Sequence, residues 1–349
     1  MNNESMLYLN RRDVEAACTT LDSVAIMREV FRMHASGQTT LPDEAYLGWT
    51  NTAGEAVRSL NMPACLGAST NAAGTKIING NIHNPARGLP RASGLTLLFD
   101  HLSARITCIM EGAYISSLRT ASVSLLAAEV LDSQQCECVA VIGSGVQAQA
   151  HLELLLKRRA SYPLLRQVVF FDVDQGRTEA LRRALAPALS AQGLKLVLAA
   201  TAEEAVRQSQ LLITTTTTTT GYIPYAWLQA GALFLNVSLD DPLPDVVLRA
   251  DKVVVDDWML VMHDTRRLLG RMYREGKIAG PADQPTGLSS VRRVDAQLAE
   301  IVSGERGGRQ RRNEIILFNP FGLAIEDIAL ASAVYQSAQE LGLGVWLER

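Results

Sequence analysis

The sequence predicts an α/β protein built on a Rossmann-type, doubly wound parallel sheet. Between residues 138 and 257, short apolar runs rich in β-branched residues alternate with helical stretches. Strands that are apolar on both faces and separated by helices indicate a parallel sheet with helices on both sides. The predicted strands are CVAVIG (138–143), QVVFFD (167–172), LKLVLAA (194–200), QLLITT (210–215), ALFLNVS (232–238) and DKVVVDD (251–257). A glycine-rich turn directly after the first strand favours a dinucleotide-binding version of this fold.

The segments on either side of this region mix helices and strands. The predicted elements are a helix after the cap residue Asp22, strands at 94–100 and 105–111, a long helix at about 112–131, a strand at 313–322 that runs into a turn, and a final helix over 324–341 that ends at Gly342. Residues 259–312 are more polar and are predicted to be helical. Within them we interpret the basic segment GERGGRQRR (304–312) as a solvated excursion, with a phosphate-binding patch as the alternative.

Composition limits the partners and the location of the protein. The chain has 349 residues, enough for two domains, with 48% hydrophobic residues and a net charge of −3. No basic face stands out, which argues against nucleic acid or an anionic membrane as a partner. The first residues are polar, and no apolar run approaches the roughly 18 residues needed to cross a bilayer, so we expect a cytoplasmic protein. The five cysteines and five histidines show no metal-ligand spacing, so no metal site is expected.

The predicted cofactor site begins at the glycine-rich turn. It is formed by Gly143, Ser144, Gly145, Val146, Gln147 and Ala148. The first glycine permits a tight turn, and the second lets the backbone approach a pyrophosphate at the helix N-terminus. Asp172 ends the next predicted strand, where a carboxylate can bind the ribose 2′-hydroxyl and repel a 2′-phosphate. The pattern therefore favours NAD over NADP, while Arg177 is the nearby residue that favours NADP.

A run of threonines occupies residues 214–220, at the predicted carboxyl end of a strand. Hydroxyl groups in this position can line a bound cofactor, and Thr216 is our candidate for that contact. A tolerant loop of low complexity is the equally weighted alternative.

Several segments together resemble one family, the ornithine cyclodeaminase/μ-crystallin superfamily, across nearly the whole chain. The matching segments are TKIINGNIHNP, SSLRTASVS, GSGVQAQ, NVSLDDP and FNPFGLAIED. Four others, MLYLNRRDVE, RASG, KVVVDDW and NEIILFNPFGLAIEDI, are most similar to the siderophore-pathway branch that forms 2,3-diaminopropionate. The resemblance implies a substrate-binding and dimerisation domain of residues 1–118 plus 319–349, with an NAD-binding Rossmann domain of residues 119–318 inserted. It also implies a homodimer.

That branch implies an NAD-dependent oxidation at the carbon–nitrogen bond of a small amino-acid substrate, N-(2-amino-2-carboxyethyl)-L-glutamate. Hydride leaves the glutamate α-carbon and an imine forms. Water then adds, and the adduct collapses to 2-oxoglutarate and 2,3-diaminopropionate. Such a reaction needs a cation that anchors a carboxylate and a group that transfers protons at the nitrogen.

The resemblance implies that Lys76 and Asp241 are the catalytic residues. Lys76 follows an apolar stretch, so desolvation can adapt it to proton transfer near neutral pH. Asp241 would activate water at the imine carbon, and the adjacent Asp240 is the alternative if the match shifts by one residue. Arg119 would bind a substrate carboxylate with its planar fork. An internal acid is the alternative partner for Arg119.

Arg58 and Arg91 are further candidates for binding substrate carboxylates, and Gly322 in the FNPFG segment is a further cofactor candidate. Glu44 is acidic where relatives often place a basic residue. It is either an exposed residue or an indication of a partly cationic substrate.

Two rival functions remain open. One is another reaction on the same fold, such as that of an ornithine cyclodeaminase, an alanine-type dehydrogenase or an imine reductase. The other is a μ-crystallin-like protein that binds a dinucleotide and a small ligand. The combination of Lys76, Arg119 and Asp241 argues against binding alone, because storage requires no proton transfer.

Overall fold

The chain divides into two compact units. The computed structural model describes residues 5–67, 70–283 and 291–348. Unit 1 comprises Met1–Arg119 and Gly322–Arg349, and unit 2 comprises Thr120–Phe321. The sequence predicted boundaries at 118/119 and 318/319.

Most strands belong to one of two eight-stranded sheets. The strands are, in unit 1, β1 (Ser5–Leu9), β2 (Thr39–Thr40), β3 (Ala45–Thr50), β4 (Ala56–Leu66), β5 (Ala72–Asn81), β6 (Ala92–Phe99) and β7 (Ile106–Glu111); in unit 2, β8 (Cys138–Ile142), β9 (Gln167–Phe171), β10 (Lys195–Leu198), β11 (Leu211–Thr214), β12 (Leu233–Asn236), β13 (Lys252–Val255), β14 (Ile278–Ala279), β15 (Arg292–Arg293), β16 (Ala296–Gln297) and β17 (Ile316–Phe318); and, again in unit 1, β18 (Val345–Glu348).

Capping residues mark the ends of several helices. They are α1 (Arg11–Ala17), α2 (Ser23–Ala35), α3 (Gly112–Val130), α4 (Val146–Lys157), α5 (Gln175–Ala191), α6 (Ala202–Gln208), α7 (Pro244–Arg249), α8 (Trp258–His263), α9 (Leu268–Arg274), α10 (Leu298–Ser303) and α11 (Ala324–Leu341). Asp22 caps α2 through the amides of Val24 and Ala25, as the sequence predicted. Gly342 ends α11 at a φ of +66°, which also confirms a prediction. Among the described residues, none of the helices combines the length and the hydrophobicity that crossing a bilayer requires.

The sheet of unit 1 has the order β18-β1-β7-β6-β5-β4-β2, and β3 also pairs with β4. Its pairs are antiparallel except for β1 with β7. Helix α11 packs against β4, β5 and β6. The sequence predicted β6, β7 and α11 but not β3, β4 and β5. In β5 the burial alternates from Ala72 to Lys76, so the lysine lies on a buried face of the sheet.

The sheet of unit 2 has the order β10-β9-β8-β11-β12-β17-β13-β16, and all its pairs are parallel. The chain proceeds outward from β8 to β10 and then returns to the other side of β8 with β11. The strand order therefore reverses beside β8, and open α/β sheets bind their ligands at the carboxyl ends of the strands at such a point. This topology confirms the predicted doubly wound parallel sheet.

The basic segment 304–312 is largely exposed to solvent, as the sequence predicted, but hydrogen bonds tie it to the rest of unit 2. Arg309 donates to the carbonyl of Leu131 and to Oγ of Ser133, both at 3.1 Å. Lys252 donates to the carbonyl of Gly307 at 2.8 Å. The end of α3 leaves carbonyl groups without helical partners, and Arg309 satisfies one of them. Its guanidinium is thereby engaged by the protein rather than held open for a phosphate. Of the polar stretch 259–312 around it, residues 284–290 lie outside the described residues, and the remainder contains short strands as well as helices.

Candidate active site

The glycine-rich turn of unit 2 joins β8 to α4. Gly143 has a φ of +96°, and a Cβ added there would lie 2.9 Å from Oγ1 of Thr215. Gly145 has a φ of −90°, and an added Cβ would meet no atom within 4 Å. No side chain caps α4, whose first residue, Val146, is 68% exposed. The first glycine is thus required by the fold, whereas the second leaves open space beside amides that attract an anion.

Asp172 connects the end of β9 to this turn. Its Oδ2 accepts from the amide of Ser144 at 2.7 Å, and its Oδ1 accepts from the amide of Asp174 at 2.9 Å. The predicted competitor Arg177 forms an ion pair of 3.2 Å with Asp174 at the surface. Asp172 therefore holds the turn and lies at the strand end where the sequence placed a ribose contact.

A cavity of about 300 Å³ opens beside Asp172. Its walls are partly apolar, and its lining residues include Phe171, Gln175, Thr178, Glu179, Leu198 and Ala199. The cavity is lined by polar and apolar groups together, and it lies at the carboxyl ends of the strands, where open α/β sheets bind their ligands. The open glycine, the uncapped helix and this cavity together fit a dinucleotide.

Asp241 follows β12 and is surrounded by hydroxyl groups. Its Oδ1 accepts from Oγ1 of Thr216 and from the hydroxyl of Tyr222, both at 2.9 Å, and its Oδ2 accepts from Oγ of Ser238. Burial raises the pKa of Asp241, while the three hydroxyl donors oppose that increase. This is a buried carboxylate held by neutral donors, an environment that suits a group that accepts or gives a proton.

The adjacent Asp240 has a different environment. One oxygen of Asp240 pairs with Nη1 of Arg271 at 2.9 Å, and the other accepts from the amide of Leu268 at 2.8 Å. Its charge is therefore balanced and its oxygens are engaged by α9. Of the two acids that the sequence left open, Asp241 has the surroundings of a reactive group.

The first three residues of the threonine run are held by hydrogen bonds to the fold. Thr214 donates to Oδ1 of Asn236 at 2.9 Å, and Thr215 donates to the carbonyl of Ile142 at 3.2 Å. Thr216, predicted as a cofactor contact, turns its hydroxyl to Asp241. Sequence reasoning missed Tyr222 and Ser238. Ser238 stands three residues before Asp241 and could have been found, but nothing in the sequence marked Tyr222.

Unit 1 contains a buried charge cluster formed by Lys76, Arg119, Glu326 and Asp327. Nζ of Lys76 lies 2.7 Å from Oδ2 of Asp327, and Nε of Arg119 lies 3.2 Å from Oδ1 of the same carboxylate. Nη1 of Arg119 lies 2.6 Å from Oε2 of Glu326. These side chains are at most 8% exposed. Arg119 thus has internal acids as partners, the alternative that the sequence left open. Sequence reasoning did not identify Glu326 or Asp327 as charged partners.

Opposing effects act on the two cations of this cluster. Burial lowers the pKa of Lys76, and so does the charge of Arg119, whereas Asp327 and Glu44 raise it. Burial also disfavours the charge of Arg119, but Asp327 and Glu326 outweigh it and raise the pKa of Arg119. Glu44 is half-buried rather than exposed, and its charge acts on Lys76.

Gly322 leaves space for the guanidinium of Arg119 in this cluster. It has a φ of +94°, and a Cβ added there would lie 2.7 Å from Nη1 of Arg119. Only glycine adopts this conformation readily and leaves the space that the guanidinium occupies. The residue predicted as a cofactor contact therefore packs on Arg119.

Arg58 and Arg91 lie close together at the end of β5. Gly80 of β5 pairs with Arg58 of β4 on one side and with Ala92 of β6 on the other. Arg91 directly precedes Ala92 and therefore lies near Arg58. A Cβ added at Gly80 would lie 3.5 Å from Nε of Arg58. Desolvation and the like charge of Arg58 lower the pKa of Arg91. Two neighbouring guanidinium groups of like charge favour a bound anion.

The parallel sheet, its glycine-rich turn and the cavity beside Asp172 define a dinucleotide-binding protein of the Rossmann class. The chain belongs to the ornithine cyclodeaminase/mu-crystallin family, whose family model matches residues 4–342. This membership confirms the resemblance deduced from the sequence.

Curated and solved relatives agree on this family. The N-((2S)-2-amino-2-carboxyethyl)-L-glutamate dehydrogenase of Staphylococcus aureus is 33% identical over 99% of both chains. A crystal structure of CmnK is 34% identical with a TM-score of 0.88 and covers 99% of this chain and 98% of that one. The Δ(1)-pyrroline-2-carboxylate reductase of Thermococcus litoralis, solved with NADH and L-proline, is 25% identical with a TM-score of 0.84, covering 97% and 99%. These comparisons support a nicotinamide-dependent oxidoreductase of the family.

Proposed function

We propose that the protein catalyses the NAD-dependent oxidation and hydrolysis of N-(2-amino-2-carboxyethyl)-L-glutamate to 2-oxoglutarate and L-2,3-diaminopropionate. The observation that carries this proposal is the pair of neighbouring guanidinium groups of Arg58 and Arg91 in unit 1, together with the buried Lys76 and Arg119. The last two are also paired with Asp327 and Glu326, and the substrate has three carboxylates to bind. The relative from Staphylococcus aureus, which aligns over 99% of both chains, bears the name of this activity. The product would serve the biosynthesis of a siderophore or another natural product.

NAD is the proposed cofactor, held by the glycine-rich turn and by Asp172 in unit 2. The amides at the start of α4 would bind the pyrophosphate, and the cavity beside β9 would hold the adenine. The carboxylate of Asp172 would accept from the ribose hydroxyl and disfavour a 2′-phosphate. When bound, NAD⁺ would accept the hydride from the glutamate α-carbon. NADPH should therefore displace NADH poorly in a fluorescence competition, and equal competition would contradict this preference.

In the second half of the reaction, Asp241 would remove a proton from the water that adds to the imine carbon. Its carboxylate is held by Thr216, Tyr222 and Ser238, so it is oriented before the reaction begins. The addition product then loses its carbon–nitrogen bond. The nitrogen leaves with a proton as diaminopropionate, and the oxygen stays on 2-oxoglutarate.

The amine nitrogen needs a group that moves its protons, and we assign this role to Lys76. Burial lowers the pKa of Lys76, which makes its ammonium group a better proton donor than that of an exposed lysine. Arg119 would hold one substrate carboxylate, and Arg58 with Arg91 would hold the others. In Arg119, the nitrogens Nε and Nη1 already face Asp327 and Glu326, so Nη2 is the nitrogen proposed for the substrate.

The test is to incubate the purified protein with NAD⁺ and N-(2-amino-2-carboxyethyl)-L-glutamate, follow NADH by absorbance, and identify products by mass spectrometry. Equimolar NADH, 2-oxoglutarate and diaminopropionate would support the proposal. Parallel reactions with ornithine, alanine and proline serve as controls. Ammonia and proline from ornithine, or NADH from alanine or proline alone, would overturn it in favour of another reaction of the family.

We also propose that the enzyme is a cytoplasmic homodimer. All six residues of β3 are exposed, and they include Tyr46, Leu47 and Trp49, at 46–62% exposure. Apolar side chains on an exposed strand favour contact with a second chain. All five cysteines lie among the described residues and none forms a disulfide there, which agrees with a reducing compartment. Light scattering should give twice the mass of 37.9 kDa, and a monomer at micromolar concentration would contradict the dimer.

A further inference from the structure

The two acids of the buried charge cluster differ in which cations they contact. Glu326 and Asp327 are consecutive residues of α11, and both are 0% exposed. Asp327 uses one oxygen for Lys76, at 2.7 Å, and the other for Arg119, at 3.2 Å. Glu326 contacts Arg119 at 2.6 Å. Of these two carboxylates, Asp327 is the one that forms an ion pair with Lys76.

Lys76 depends on a nearby negative charge to remain an ammonium. It is 1% exposed, and a charge removed from water is costly unless it is paired. Arg119 adds a repulsive charge, whereas Glu44 contributes attraction. The other polar contact is Oγ of Ser116, at 3.3 Å, which is neutral. Among the described residues, the carboxylate within hydrogen-bonding distance of Nζ is that of Asp327.

We propose that Asp327 is a positioning residue for Lys76: it fixes the ammonium group and keeps it in the protonated form that supplies a proton to the amine nitrogen of the substrate. The inference rests on the proposed function and deepens it. Asp327 does not touch the substrate in this role. It acts through Lys76, and because its second oxygen binds Arg119, it also sets the separation between the two cations.

The test compares Asp327→Asn with Glu326→Gln, two nearly isosteric changes at adjacent buried positions. Both remove a carboxylate that pairs with Arg119, but only the first removes the partner of Lys76. A role in the general stability of the cluster would affect both variants alike. A role that acts through Lys76 would distinguish them.

The direct readout is the titration of Lys76 itself, which requires no substrate. The chain contains five lysines, and Lys76 is the buried one among the described residues. Labelling with ¹³C,¹⁵N-lysine therefore gives a simple NMR spectrum of the side-chain Cε and Nζ atoms, and Lys76→Arg assigns the signal. In Asp327→Asn, deprotonation of Lys76 should occur at least about one pH unit lower than in the wild type. In Glu326→Gln it should shift by much less.

Kinetics with the proposed substrate provide the second readout. Asp327→Asn should lower kcat at pH 8 by about tenfold or more, because less Lys76 is protonated at that pH. The basic limb of the pH profile should therefore move to lower pH. Glu326→Gln should chiefly raise KM. Circular dichroism and NADH binding check that each variant is folded.

Three outcomes would overturn the inference: an unchanged Lys76 titration in Asp327→Asn, an equal shift in Glu326→Gln, or equal pH profiles for the two variants. If Asp327→Asn does not fold, Asp327→Glu keeps the charge but moves it. Its Lys76 should then stay protonated as in the wild type, and a titration at lower pH would contradict the proposal. Wild-type protein that titrates as expected but does not oxidise the substrate would reject the proposed reaction, not the pairing.

Discussion

The hydroxyl of Tyr222 donates a hydrogen bond of 2.9 Å to Oδ1 of Asp241. Thr216 donates to the same oxygen, and Ser238 donates to the other. The preceding residue, Asp240, pairs instead with the cation Arg271. Two adjacent carboxylates therefore have opposite surroundings, since one is held by neutral donors and the other is neutralised by a charge.

Asp241→Asn should abolish most turnover and leave NADH affinity nearly unchanged. The amide keeps the size of the carboxylate but cannot accept a proton from water, so the loss of kcat should be about 100-fold or more. Steady-state kinetics and NADH fluorescence titration measure the two quantities. Near-normal kcat would show that Asp241 is not the base.

Asp240→Asn is the matched control for that variant. Because Asp240 contacts Arg271 and the amide of Leu268, its loss should lower the free energy of unfolding by about 1–3 kcal/mol. Turnover by the protein that remains folded should be largely retained. If Asp240→Asn instead abolishes turnover at full stability, the assignment of the two acids must be exchanged.

Tyr222→Phe should move the acidic limb of the pH profile of kcat to higher pH. Asp241 acts in its ionised form, so activity is lost as the pH falls through its pKa, which burial already raises. Removing a donor to the carboxylate raises that pKa further, by about 0.7 unit if the hydrogen bond contributes about 1 kcal/mol. Tyr225→Phe, at a nearby tyrosine whose ring packs on the guanidinium of Arg249, should keep the wild-type limb. A shift to lower pH in Tyr222→Phe would contradict the prediction.

Gly143→Ala and Gly145→Ala should separate stability from cofactor binding. Alanine at 143 would have a positive φ and crowd Thr215, so it should lower the free energy of unfolding by about 2 kcal/mol or more. Alanine at 145 meets no atom of the protein within 4 Å, but its methyl group would occupy the approach of the pyrophosphate. We expect an unchanged Tm and an NADH affinity lowered about tenfold or more. A normal affinity in Gly145→Ala would contradict the assigned phosphate site.

The buried His151 should make the protein less stable in acid. Its Nε2 lies 2.8 Å from Oγ of Ser124, its Nδ1 lies 2.7 Å from the carbonyl of Gln147, and burial lowers its pKa from 6.5 to about 4. The folded state thus binds this proton more weakly than the unfolded state. Stability is complete above pH 6.5 and decreases as the pH falls toward 4, by up to about 3 kcal/mol.

Urea unfolding of the wild type between pH 7 and pH 4 measures this dependence. His151→Gln should reduce the slope in that interval, whereas His83→Gln, at an exposed position, should not. Equal slopes in the wild type and His151→Gln would show that other groups cause the acid sensitivity.

Local sequence determined the elements whose stability depends on nearby residues. The apolar runs of unit 2 predicted strands β8 to β13 because strands covered on both faces of a parallel sheet are apolar at nearly every position. The helix over 324–341 was predicted to the residue, because Gly342 readily adopts the left-handed conformation that ends it. The glycine-rich turn was likewise predicted, because a strand, a turn and a helix in succession form one local unit.

Tertiary structure alone decided the partners of the charged groups. Lys76 and Asp327 are 251 positions apart, so no local pattern shows that they form an ion pair. Nor does sequence distinguish Asp240 from Asp241, because the difference arises from Arg271 on one side and Tyr222 on the other. The sequence did not predict strands β3 to β5, because they contain polar and small residues with low strand propensity. They form because they pair with one another in the sheet. Local propensity acts over a few residues, whereas the burial and pairing of charges depend on elements that only the folded chain brings together.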